Sequence, residues 1–114
     1  MELKVHRKDD QVTHLALTGR LDVIGVQQIE MHFTVHTVSH RKPTVADLAE
    51  VTFLSSLGVR MLLTSAKALS AHNAKLVLLN PSPQVLQVLE LGRLTAIMPV
   101  ETDLDRAFAL LGVK

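Results

Sequence analysis

Apolar and polar residues along this chain repeat first with the period of a strand and then with that of a helix. At the N-terminus, alternation on both sides of a polar turn at 8–11 predicts an antiparallel hairpin. Further on, the apolar segments 44–48, 75–79 and 96–98 are typical of short strands, and helical spacing separates them. This order predicts one α/β domain over 1–114, with a mixed sheet of four to five strands, the later ones parallel, covered by about four helices.

The first predicted helix, over 22–39, carries apolar residues on two faces. One face has the spacing of a buried stripe, formed by Val26, Ile29 and Phe33. Nearly opposite lies a second stripe, formed by Ile24, Met31, Val35 and Val38. Either neighbouring elements of the same chain cover this second stripe, or it forms a homodimer or a permanent contact with a partner.

A second helix is predicted to begin at Ser55 and Ser56 and to end near Ala71. Its core stripe is predicted to be Val59, Leu62, Leu63, Ala66 and Leu69. One of the two serines is expected to cap the helix by accepting a backbone N–H. A phosphate added at this helix start would be stabilised by free N–H groups and by the helix dipole.

Leu57 and Met61 lie one helical turn apart and outside that predicted core stripe. The spacing predicts an exposed apolar contact patch beside the serines. A partner docked there would have to desolvate a phosphate charge of about −1.5 to −2, which opposes binding. The same segment can therefore make a contact and act as a switch.

Composition excludes several classes of function. The chain has 114 residues, a net charge of +1 and an aromatic content of 3%, with neither Tyr nor Trp. Basic residues are scattered, and the low aromatic content counts against a stacking platform for bases, so we expect no nucleic-acid partner. The N-terminus has no apolar signal segment, and no apolar stretch is long enough to cross a bilayer. We therefore expect a cytoplasmic protein that does not insert into membranes.

Catalytic and metal-binding chemistry also has little support. The chain has no cysteine, its 5 glycines form no phosphate-binding loop, and no Gly-x-Ser-x-Gly motif surrounds the serine pair. His32, His36 and His40 form a row on a continuous helix, but a stable zinc site needs a third or fourth ligand in proper geometry. A solvated row is the favoured interpretation. We predict no enzyme, no cofactor and no metal site.

Three segments of the chain resemble the STAS domain family. They are Thr-Gly-Arg-Leu-Asp at 18–22, the segment 46–59 that contains Phe-Leu-Ser-Ser-Leu-Gly-Val, and Leu-Leu-Asn-Pro-Ser-Pro-Gln-Val at 78–85. The resemblance covers nearly the whole chain and is closest in type to stand-alone anti-sigma factor antagonists. It implies partner switching: the unphosphorylated antagonist binds an anti-sigma factor that is also a serine kinase. Phosphorylation releases the antagonist, and a phosphatase of the PP2C type resets it.

The resemblance also assigns roles to individual positions. Ser56 matches the phosphorylated serine of the family motif, while Ser55 stands where many members have aspartate and Leu57 where many have a second hydroxyl residue. The residues that we predict to contact the partner are Asp22, Ser55, Leu57, Gly58 and Met61. Asp22 and Asp47 match acidic positions of the family, with a helix cap and a strand-end hydrogen bond as equally good interpretations.

A second function remains open at this stage. Some stand-alone STAS proteins resemble subunits of lipid-transport ATPases, or scaffolds, that act without phosphorylation. The second apolar stripe of the first helix would suit such permanent docking.

Overall fold

A five-stranded mixed sheet forms the centre of the computed structural model, which describes residues 1–113. The strands follow each other across the sheet in chain order. The first two are antiparallel and all later pairs are parallel. This confirms the predicted fold class. The strands are β1 (Glu2–Lys8), β2 (Thr13–Leu21), β3 (Thr44–Leu54), β4 (Leu76–Leu79) and β5 (Val100–Glu101).

Each α-helix begins directly after a residue whose side chain accepts a backbone N–H of the first turn. Such caps satisfy donors that have no partner within the helix, so they fix where a helix starts. The helices are α1 (Val23–Thr34), α2 (Ser56–Ser70), α3 (Pro83–Leu91) and α4 (Leu104–Leu110). Their caps are Asp22, Ser55, Ser82 and Asp103.

The helices lie on the two faces of the sheet in unequal number. Buried residues of α1, α2 and α3 pack with one face of the strands in a large core. On the other face α4 packs in a smaller cluster, in which Ala107 contacts Val45, Val77 and Leu79. The strand β4 is therefore buried on both sides, as its continuous apolar sequence predicts.

Helix α1 continues into a π-helical turn over Val35–Ser39. The turn buries Thr37, whose Oγ1 donates to Phe33 O at 2.7 Å and lies 3.1 Å from Ser65 Oγ of α2. These contacts attach the end of α1 to the middle of α2.

The second apolar stripe of α1 is largely uncovered by the chain. The exposed fractions of Ile24, Met31 and Val35 are 65%, 79% and 48%, and Val38 is half-buried. The alternative in which neighbouring elements cover the stripe is therefore wrong for these three residues.

Two strand predictions need correction. The segment 96–98 is not a strand: a 3-10 turn occupies Leu94–Ala96, and the pairing with β4 is made by Val100–Glu101. Met98 is fully buried in the large core, so the apolar character of this segment reflects packing of an irregular connection. The strand predicted at 44–48 continues to Leu54.

Candidate functional site

Ser55 occupies the capping position of α2, and its hydroxyl both accepts and donates a hydrogen bond. Its Oγ accepts from the Gly58 N–H at 3.1 Å and donates to Leu21 O at 2.8 Å. The Ser55 N–H donates to the same carbonyl at 3.0 Å. The prediction that one of the two serines caps the helix is confirmed, and the capping serine is Ser55. Its hydroxyl is committed to holding α2 against the end of β2.

Ser56 is the first residue of α2 and its side chain is exposed. The first turn of the helix contains no acidic residue. A negative group on the Ser56 hydroxyl would therefore lie in solvent, at the positive end of a 15-residue helix. Arg60, also exposed, follows one turn later. The two adjacent serines thus differ: Ser55 stabilises the helix start, and the hydroxyl of Ser56 is accessible from solvent.

Gly58 is a packing residue and not a surface residue. It is buried, and a Cβ at this position would lie 2.7 Å from Leu21 O and 2.8 Å from Leu21 Cγ. The helix can approach β2 this closely only because the side chain is absent. The prediction that Gly58 contacts a partner is corrected accordingly, since its position is covered by β2.

Met61 is also placed differently from its prediction. It is 5% exposed and belongs to the large core, so it forms no exposed patch with Leu57. The buried face of α2 is rotated relative to the predicted stripe, because small residues also lie on it. This face consists of Gly58, Met61, Leu62, Ser65, Ala66 and Leu69. Val59 and Leu63 are only partly buried.

Leu57 is half-buried and lines a groove of about 300 Å³ between α1 and α2. Glu30 and Thr34 of α1 lie on one side, and Arg60 of α2 lies on the other. Met61 lines the same groove. Because Leu57 directly follows Ser56, the groove begins beside the first turn of α2.

Helix α1 begins beside α2 and with similar geometry. Asp22 accepts the Gly25 N–H at 2.9 Å, and Arg20 Nε donates to its other oxygen at 3.3 Å. The Gly25 N–H first, and then Arg20, hold the pKa of Asp22 below its usual value. The Arg20 guanidinium also lies 4.5 Å from the ring centroid of Phe53. Asp22 is half-buried, and its cap role is observed, whereas its contact with a partner remains a prediction.

Sequence reasoning missed Gly25 and the role of Leu21. A Cβ on Gly25 would lie 2.0 Å from Arg20 O, which is closer than the approach found at Gly58. The signal was a shared spacing: a glycine follows three residues after the cap in both helices. Asp47, in contrast, accepts the Ala49 N–H at 2.9 Å, but because β3 continues to Leu54 this bond lies within the strand and not at its end, as one interpretation had it.

The histidine row contacts the hairpin of β1 and β2. His36 Nδ1 lies 3.1 Å from Lys8 Nζ, and His40 Nε2 lies 3.0 Å from Asp9 O. Burial, followed by the charge of Lys8, lowers the pKa of His36. Within residues 1–113, no three His, Asp or Glu side chains are grouped as a metal site would require. Over the same residues, no helix has both the length and the apolar character needed to cross a bilayer.

Known proteins resemble this chain in sequence and in fold. BtrV of Bordetella bronchiseptica, whose name describes an anti-sigma factor antagonist, is 28% identical over 102 residues, covering 90% of this chain and 88% of that protein. The unphosphorylated anti-sigma factor antagonist SpoIIAA has a TM-score of 0.79 at 23% identity, over 99% of both chains. Phosphorylated Bacillus SpoIIAA has a TM-score of 0.71 at 22% identity, over 96% of this chain and 99% of that one. These structures share the fold.

The model of the STAS domain family matches residues 4–107. The match covers β1 from Lys4 onward, the other four strands completely, and all but the last turn of α4, and it confirms the resemblance found in three short segments. Anti-sigma factor antagonists of this family are regulatory proteins without catalytic activity, in agreement with the prediction that this chain is not an enzyme. The chain belongs to the STAS domain family.

Proposed function

We propose that this protein is a cytoplasmic anti-sigma factor antagonist that works by partner switching. In this proposal the unphosphorylated chain binds an anti-sigma factor that is also a serine kinase. The kinase phosphorylates Ser56 and releases the chain, and a PP2C-type phosphatase restores binding. The observation that carries the proposal is the difference between the two serines at the start of α2. The Ser55 hydroxyl is hydrogen-bonded to Leu21 O and to the Gly58 N–H, whereas Ser56 is exposed.

The surroundings of Ser56 explain how one modification can change binding without unfolding the domain. The phosphate would add charge to an exposed hydroxyl, so the intramolecular bonds of the helix start remain in place. A partner seated on Ser56 and Leu57 would instead enclose that charge in an interface. Burying an unpaired charge is costly, so the modified chain would bind weakly.

The relatives support the same function. BtrV and SpoIIAA are both named as anti-sigma factor antagonists, and SpoIIAA has structures in an unphosphorylated and a phosphorylated form. Ser55 replaces the aspartate that many family members have before the phosphorylated serine. In this chain the capping function of that position is carried by a neutral hydroxyl.

The direct test is phosphorylation by the serine kinase encoded nearest to this gene, followed by peptide mass spectrometry. We expect one phosphate, on Ser56, and none in Ser56→Ala. Ser55→Thr is the matched control, because it retains a capping hydroxyl and leaves Ser56 intact. Phosphate at another hydroxyl, or unchanged phosphorylation of Ser56→Ala, would reject the assignment.

A binding measurement tests the release step. Ser56→Asp should weaken kinase binding at least about tenfold by calorimetry, the result expected for an unpaired charge in an interface. Its circular dichroism spectrum should match that of the parent protein. Equal binding by Ser56→Asp and Ser56→Ala would contradict release by charge.

The outer face of α1 favours a second function, in which the chain is a permanent subunit. Ile24, Met31 and Val35 are large, apolar and exposed, and Val38 continues the stripe at the π-helical turn. They suit a homodimer, or docking to a lipid-transport ATPase or a scaffold, without phosphorylation.

Light scattering after size exclusion separates a homodimer from the other arrangements. If the stripe joins two copies, Met31→Glu should convert a dimer to a monomer. Leu91→Glu is the matched control, since Leu91 is 78% exposed on α3. If the parent protein is a monomer, the homodimer is excluded, and docking to a different protein is then the function of this face.

A further inference from the structure

A cavity of about 430 Å³ lies beside the last turns of α2, far from Ser56. Helix α2 has 15 residues, so its two ends are about 22 Å apart. The segment before β4 and the connection that leads to β5 complete the walls. The lining residues are Ala66, Lys67, Ser70, Ala74, Lys75, Ala96, Ile97 and Pro99.

The cavity combines an apolar interior with a positively charged rim. Ala66 and Ala74 are buried in the core, and the large side chain of Ile97 is 47% exposed beside them. Lys67 and Lys75 are exposed, and no acidic residue lines the cavity. Among residues 1–113, the ion pairs join Arg7 to Asp9 and Arg20 to Asp22, so neither lysine is neutralised by a carboxylate.

The carboxyl end of α2 offsets this positive charge only in part, because most of its last carbonyl groups are already bonded. The carbonyls of Lys67, Leu69 and Ser70 accept the N–H groups of the three residues that follow the helix, Ala71, His72 and Asn73. Acceptors that are already bonded contribute less negative potential than free ones. Lys67 and Lys75 are the charged side chains among the lining residues, so the side chains at the rim carry a net positive charge.

We propose that this cavity binds a small amphipathic anion, namely an acid group attached to a short aliphatic chain. The acid group would bind between Lys67 and Lys75 and accept the Ser70 hydroxyl. The aliphatic chain would cover Ile97 and the alanine floor, which removes exposed apolar surface from water. The volume is within the range of small-ligand pockets. This site is separate from Ser56 and does not depend on the proposed partner switch.

Titration with octanoate, followed by amide chemical shifts of the unphosphorylated full chain, tests the site. We expect shifts that cluster at the cavity lining and saturate. Acetate lacks the long aliphatic tail and 1-octanol lacks the negative charge, so each should bind more weakly than octanoate. Lys67→Gln/Lys75→Gln should weaken octanoate binding at least about tenfold, because charge-assisted contacts are lost.

Two further variants distinguish this site from general attraction to the surface. Lys4→Gln/Lys42→Gln removes the same charge elsewhere and should change affinity less than twofold. Ala96→Phe should block the cavity without changing its charge and abolish binding. The proposal would be overturned if 1-octanol bound as tightly as octanoate, or if Lys67→Gln/Lys75→Gln kept full affinity for octanoate. Chemical-shift changes centred on the α1 stripe would also overturn it.

Discussion

The helices α1 and α2 begin side by side at the end of β2 with the same construction but different charge. In both, a cap residue accepts the N–H of a glycine three positions later, and that glycine packs against backbone of β2. At α1 the cap is the carboxylate of Asp22, which Arg20 also contacts. At α2 the cap is the neutral hydroxyl of Ser55, and the first turn has no acid.

This difference explains why only one of the two helix starts is suited to a charge switch. A carboxylate already occupies the positive end of α1, so another negative group would meet repulsion there. The start of α2 has the same dipole and no such occupant. The domain thus has one helix start with a charged cap next to one with a neutral cap, and the charge switch proposed for Ser56 would act at the neutral one.

The largest expected effects come from the two glycines, which set how closely each helix approaches β2. Gly25→Ala should destabilise the domain by roughly 3 kcal/mol, because its Cβ would lie 2.0 Å from Arg20 O, a backbone atom that cannot rotate away. Gly58→Ala, at 2.7 Å from Leu21 O, should lose about 2 kcal/mol. Urea unfolding measures both values.

Gly92→Ala is the control for the glycine pair. Its Cβ would meet the flexible side chain of Leu94 at 3.2 Å and Val88 O at an ordinary contact distance of 3.6 Å, so its stability should stay within about 0.5 kcal/mol of the parent. If Gly25→Ala were as stable as Gly92→Ala, the close packing described for α1 would be incorrect.

A smaller effect should separate the two serines of α2. Ser55→Ala removes the cap and the bond to Leu21 O, and should cost about 1–2 kcal/mol of unfolding free energy. Ser56→Ala removes an exposed hydroxyl and should change stability by less than about 0.5 kcal/mol. Thermal unfolding of both variants makes the comparison, and equal losses would mean that the two hydroxyls share the capping role.

The smallest effect is the pH dependence that the cap of α1 contributes to stability. Because the folded state lowers the pKa of Asp22, the stability this carboxylate contributes is present above its unfolded value of 3.8 and is lost as the pH falls through the lower folded value. The stability difference between the parent and Asp22→Asn should therefore shrink below about pH 4. The corresponding difference for Ser55→Ala should not vary with pH, since a hydroxyl does not titrate there. A constant difference for Asp22→Asn would contradict the charged cap.

The starts of the helices could be predicted from the sequence because capping is local. Asp22 lies within three residues of the N–H group that it accepts, so a short pattern suffices. The choice between Ser55 and Ser56 could not be predicted, because the two neighbours have equal capping propensity. Leu21 O, 34 residues away in the chain, makes the difference by accepting the Ser55 hydroxyl.

The errors at Met61 and at 96–98 have a similar non-local cause. Met61 faces the core because Gly58 and Ser65 lie on the buried side of α2, and small residues carry little weight in a hydrophobic pattern. Met98 fills a place in the core from an irregular segment, and its apolar neighbours resembled a strand. Packing between distant segments decided both positions.

The contact between Thr37 and Ser65 has a consequence for the direction in which Ser56 points. A helix attached only at its first turn could still rotate about its long axis. Helix α2 is also held by its core residues Met61, Leu62 and Ala66, and the Thr37 hydroxyl, turned inward by the π-helical turn, adds a polar contact near the middle of the helix. The orientation of Ser56 therefore depends on contacts along the length of α2 as well as on its cap, and the π-helical turn that follows α1 supplies one of these contacts more than two helical turns away from the serine.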